Sequence, residues 1–134
     1  MNAYQVYRQT QAQTADPGEL VCMLYRGAVR FVSAATEAIE KRDVEASHNN
    51  LVRAQAIVSE LLETLDIERG GQFAQRLQAI YEYLNQRLLE ANLRKDADAA
   101  REVERFLREL LPAWEEAARQ TKAGAARPLL AAAV

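Results

Sequence analysis

The sequence has little of what breaks, bridges or spans. Its 134 residues include one cysteine, one histidine, one tryptophan, three prolines and five glycines. A lone cysteine, Cys22, cannot close an internal disulfide, which fits a reducing compartment. So few prolines and glycines leave long stretches without turn residues. β-branched runs are absent as well, and the composition that remains is all-helical. No apolar run approaches the ~20 residues needed to span a bilayer, and the N-terminus carries no basic-then-apolar leader. A soluble cytoplasmic protein without membrane insertion is therefore expected. Charge of one sign is lacking too: 17 basic against 19 acidic residues give a net −2, interleaved along the chain. A nucleic-acid footprint would need a clustered basic face, so none is expected.

What is present is an ordinary folding balance, 49% hydrophobic and 27% charged, in a length that suits one domain with a single core. The best-marked stretch is Asp16-Pro17-Gly18-Glu19-Leu20. Asp16 is a good N-cap, Pro17 suits the first helical position, and Glu19 has capping-box spacing. Leu20, Leu24, Gly27/Ala28, Phe31, Ala35 and Ile39 then continue a helical stripe, predicting a first helix to about residue 41. Gly27 costs such a helix ~1 kcal/mol relative to Ala, and with Ala28 it marks a place of close approach. Asp43 reads as the cap of a second helix with a seam at Val44, Ser47, Leu51, Ala54, Val58, Leu61 and Leu65. Gly70-Gly71 is the clearest break and is expected to terminate the second helix or bridge it into the third. The third helix carries Phe73, Leu77, Tyr81, Leu84, Leu88 and Ala91; Asp96 or Asp98 caps a fourth with Val103, Phe106, Leu107, Leu110 and Trp114. Pro112 is expected to kink or end that helix near Leu110.

Short links between four such helices predict an all-α, antiparallel up-down four-helix bundle over residues 16–121. Residues 1–15 are expected to be a mobile segment and 122–134 a disordered tail.

Catalytic readings lack parts. Every His-dependent constellation rests on His48. Glu45-x-x-His48 has the helical spacing of di-metal bundles, but occurs once and lies off the seam, so no metal is expected. His48 as a phosphotransfer residue is an alternative, though Asn49-Asn50 supply no close cation. Cys22 reads as a small semi-buried hydrophobe. There is no P-loop, and no cofactor is expected. The remaining clue is apolar surplus outside the stripes: Val21, Met23, Tyr25, Val29 and Val32, then Ile57 and Leu62, then Tyr83 beside Tyr81. It reads either as a wide core or as grooves for another amphipathic helix, the mark of a helix-binding adaptor.

The segment Thr14-Ala15-Asp16-Pro17-Gly18-Glu19-Leu20 with Leu24-Tyr25-Arg26-Gly27-Ala28 resembles the T-A-x-P-x-x-L…L-Y-x-G-A signature of the FliS family, export chaperones of flagellin. Ala54 to Val58, Leu65-Asp66, Gly70-Gly71, Tyr81-x-Tyr83-Leu84, Ala91-Asn92 and Trp114 continue it in order. Arg26 departs from the acidic residue more usual there, and Pro112 is not part of the pattern. The resemblance implies a non-enzymatic cytoplasmic chaperone. Its partner would be the C-terminal segment of flagellin, held unpolymerised for the flagellar type III export apparatus; an export-gate component and other flagellar regulators are further candidate partners. It implies a flagellin groove formed by Met23, Tyr25, Gly27, Ala28, Ala54, Ile57, Leu61 and Tyr81. Tyr4 and Tyr7 are expected to cap that groove until the client displaces them.

Overall fold

Each of the four helices starts on an aspartate. In the computed structural model, which describes residues 16–122, α1 spans Pro17–Glu40, α2 Val44–Thr64, α3 Ile67–Arg94 and α4 Ala97–Lys122. Asp16, Asp43, Asp66 and Asp96 accept the backbone N–H of Glu19, Ala46, Arg69 and Ala99 at 2.8, 3.0, 3.1 and 3.2 Å. Each bond satisfies one of the donors that a helix start leaves free.

The links at the far ends of α1 and α3 are tight left-handed turns. Arg42 (φ 60°) and Lys95 (φ 51°) take the conformation usually given to glycine. Around Arg42, the Asp43 N–H reaches the Ala38 carbonyl at 2.8 Å and the Arg42 N–H reaches Ile39 at 3.0 Å. Such short reversals make successive helices antiparallel. The result is a four-helix bundle in which α1 packs on α2 and α4, and α3 closes the ring from the other side. The expected all-α up-down bundle is the observed fold. Residues 1–15 and 123–134, and with them the mobile segment, its capping Tyr4 and Tyr7, and the tail, lie outside the described residues.

Two expectations are corrected. Gly70-Gly71 does break the helix, but past the α2–α3 junction: Thr64 ends α2, Asp66 caps α3, and the glycines fall inside α3. Gly71 takes φ 54°, ψ −134°, so α3 bends there and resumes. A local aspartate cap won over the glycine pair, which was left to supply a kink. Nor does Pro112 end α4, which runs ten residues further to Lys122. Pro112 is exposed, so the carbonyl it strands can turn to water.

The core is also wider than one stripe. Val21, Val29 and Val32, outside the expected α1 stripe, are buried, whereas Val44 and Phe73, expected on seams, are exposed. Cys22 is buried, and burial raises its thiol pKa, which suits packing and not nucleophilic chemistry.

Candidate functional site

At the end of the bundle where α1 begins and α4 finishes, three aromatic side chains from three helices meet. Tyr25 (α1), Tyr81 (α3) and Trp114 (α4) are at most 2% exposed. The Trp114 Nε1–H donates to the Tyr25 hydroxyl at 3.1 Å, and the two tyrosine hydroxyls share a hydrogen bond at 2.6 Å. The rings pack in tilted and edge-to-face fashion, with centroids 6.2 and 6.3 Å apart. Burial pushes the Tyr25 pKa up to about 12 and Tyr81 further, so both remain neutral phenols.

Above this cluster the α1–α2 edge is apolar. Leu20, Met23 and Phe31 are half-buried at helical spacing along α1, and Gly27, which is buried, falls between Met23 and Phe31. Ile57 of α2 approaches Gly27 closely: a Cβ added to Gly27 would lie 3.3 Å from Ile57 Cδ1. Arg53 of α2 lies over the Phe31 ring, its guanidinium carbon 5.8 Å from the centroid. The other three edges carry polar ties at the surface. Arg26–Glu115 at 2.7 Å and Arg101–Glu40 at 2.6 Å join α1 to α4. Ser59–Asn85 at 3.0 Å and His48–Asn92 at 2.9 Å join α2 to α3, and Arg87–Glu102 at 2.6 Å joins α3 to α4.

The eight residues expected to line a groove therefore fall into two layers. Met23 is half-buried, whereas Gly27 and Ile57 are buried, packed against each other. Tyr25, Ala28, Ala54, Leu61 and Tyr81 are buried in the bundle, out of reach of an outside molecule in this conformation. Leu20 and Phe31, assigned to the core from their place in the stripe, pack against it from its edge and stay half-buried. Trp114 could be placed on the α4 stripe from sequence, but no spacing links it to Tyr25, 89 residues away.

The remaining candidates sit apart from this edge. His48 is exposed, and its Nδ1 is occupied by the Asn92 side chain. Arg53, the nearest cation along α2, points toward α1 and Phe31. Among the described residues no group of three or more His, Cys, Asp or Glu could hold a metal ion, and no helix is long and apolar enough to cross a membrane.

Fold and edge together define an all-helical bundle with a half-buried apolar strip, Leu20, Met23 and Phe31, beside its first two helices. The chain belongs to the FliS family, described as flagellar protein FliS, which it matches over residues 1–121. It is similar to the flagellar secretion chaperone FliS of Bacillus subtilis, 39% identical over 116 residues, covering 87% of this chain and 86% of the relative. The flagellar secretion chaperone FliS of Campylobacter jejuni is 40% identical over 114 residues, covering 85% and 89%. That of Salmonella typhimurium is 38% identical over 113 residues, covering 84% of each.

Proposed function

We propose that this chain is a flagellar export chaperone acting in the cytoplasm. It takes the C-terminal segment of flagellin along the α1–α2 groove, keeps it from polymerising early and presents it to the type III export apparatus. Family membership over residues 1–121 carries the reading, because it joins the groove to relatives named as secretion chaperones. Leu20, Met23 and Phe31 give the client apolar contact, and Gly27 lets it approach closely over Ile57. Tyr25, Ala28, Ala54, Leu61 and Tyr81 support the groove from below by fixing how α1 sits on its neighbours. Tyr4 and Tyr7 occupy the groove until the client arrives, a contact that a tether at millimolar effective concentration makes sufficient even if weak. The export-gate component and other flagellar regulators would meet other faces. Nothing in this cycle needs a catalytic step: a disordered client orders as it buries apolar surface and leaves by unpeeling.

Calorimetric titration with a peptide from the C-terminal region of the same organism's flagellin tests it. Saturable binding of about one to one with a negative heat-capacity change is expected. Met23→Ser and Gly27→Leu should each weaken it about ten-fold or more, roughly 1.4 kcal/mol, with helical circular dichroism retained. Absence of saturable binding by the folded wild-type chain would overturn the reading.

A further inference from the structure

The α1–α2 edge differs from the other three in charge as well as in polarity. About one residue in seven of the chain is acidic, 19 of 134, yet none occurs between Glu19 and Glu37 on α1 or between Glu45 and Glu60 on α2. The Gly27–Ile57 approach and the Phe31–Arg53 ring contact fix the antiparallel register of the two helices, which sets these carboxylate-free stretches side by side. Two exposed cations stand on them, Arg30 on α1 and Arg53 on α2. Arg30 comes seven residues after Met23, about two helical turns, so it continues the line of Met23 along α1. Among the described residues neither arginine forms an ion pair. Arg26, Arg87 and Arg101, on the α1–α4 and α3–α4 edges, each meet a carboxylate of the facing helix.

Arg53 is held in place by what lies beneath it. Its guanidinium carbon sits 5.8 Å from the Phe31 centroid, and the ring attracts the cation without supplying a countercharge. A guanidinium anchored on a ring keeps N–H donors for a planar carboxylate, which it can meet with two parallel bonds. Phe31 belongs to the half-buried strip with Leu20 and Met23, so a helix that covers the strip also shields this cation from water. Attraction between opposite charges is stronger there than on open surface.

We infer that the α1–α2 edge selects an acidic amphipathic helix. Apolar side chains of the client cover Leu20, Met23 and Phe31, a client carboxylate seats on Arg53, and Arg30 favours a second carboxylate beside it. The inference rests on the client reading above and adds to it the charge of the bound segment and the residue that recognises it. Met23 and Phe31 are eight residues apart, about 12 Å along α1. A client helix lying along this edge therefore carries its acidic residue seven or eight positions from the apolar residue seated at Met23.

The test titrates the full chain with a peptide from the C-terminal region of the same organism's flagellin at about 50 and about 500 mM salt. A second peptide has every Asp and Glu changed to Asn and Gln. Arg53→Met keeps an unbranched stem over Phe31 and removes the charge, whereas Arg53→Lys keeps the charge. At the lower salt Arg53→Met should weaken binding about five-fold or more, and Arg53→Lys about two-fold or less. The higher salt should shrink the Arg53→Met loss to within about two-fold. Against the neutralised peptide, Arg53→Met and wild type should bind alike. Wild-type affinity in Arg53→Met at the lower salt would overturn the inference and leave the client reading standing. Equal losses in Arg53→Met and Arg53→Lys would do the same, by making Arg53 a packing residue. So would an Arg53→Met loss that persists in full against the neutralised peptide. Absence of saturable binding by the folded wild-type chain would instead remove the client reading, and this inference with it.

Discussion

Tyr25 does two jobs, one with its ring and one with its hydroxyl. The ring fills space between α3 and α4, and the oxygen accepts the Trp114 N–H. Tyr25→Phe keeps the volume but strands two buried donors, Trp114 Nε1–H and the Tyr81 hydroxyl. Tyr81→Phe leaves the Trp114 bond intact. At about 1–3 kcal/mol for each buried polar group left unpaired, Tyr25→Phe should destabilise by about 1–3 kcal/mol more than Tyr81→Phe. Urea denaturation followed by Trp114 fluorescence checks this. The tyrosines also set a pH limit. Their folded pKa values lie above the unfolded value near 10, so the folded state holds phenolic protons that the unfolded state releases. This contribution is fully present below pH ~10 and lost as pH rises through about 12, where Tyr25 ionises in the folded state. Phenolate absorbance from the pair should therefore appear together with loss of helical circular dichroism, and Tyr81→Phe should shrink that step. None of this was legible in the sequence. Tyr25 and Tyr81 could be placed on helices, but spacing along each helix does not say which aromatic meets which across a bundle.

At the scale of the element, the helix starts were the most readable feature. Asp16, Asp43 and Asp96 could be picked out because capping is a local contract between one side chain and the next turn. Asp66 obeys the same rule, but the Gly70-Gly71 pair a few residues on is a competing break signal in the sequence. Pro112 misled for a related reason: its cost is fixed, but whether a helix ends depends on packing on both sides of it. Ala99, Ala100, Val103, Leu107, Trp114, Ala117 and Ala118 are all buried, anchoring α4 before and after the proline. The helix therefore carries the proline instead of stopping at it. Pro112→Ala should raise stability by about 1–3 kcal/mol, since a proline in a helix interior is ~3 kcal/mol worse than alanine and an exposed site recovers part of that. A higher midpoint in thermal denaturation with unchanged helical content is the expected reading. An unchanged or lower midpoint would mean that α4 depends on a bend at Pro112.

For the whole molecule, binary patterning was enough to give the bundle, and it could not give the groove. The arc of each helix that faces inward depends on how far the helix is rotated about its axis. Small changes in that rotation decide whether Leu20, Phe31 and Met23 belong to core or edge, and whether Tyr25 lies above or below the surface. Gly27 carried the most positional information. It was read as a site of close approach, and the approaching group is Ile57 of the chain's own second helix.

The antiparallel pairing of α1 with α4 puts the beginning of one beside the end of the other, with Arg26–Glu115 near that end and Arg101–Glu40 near the opposite one. Under tension applied between residues 16 and 122, the load would fall on one turn at a time. The two helices would part like a zipper, from the Trp114–Tyr25 bond toward Glu40, and would not have to shear past each other along their full length. A bundle tied this way resists heat through its entire core but yields to a pull at its ends by breaking only a few contacts at once.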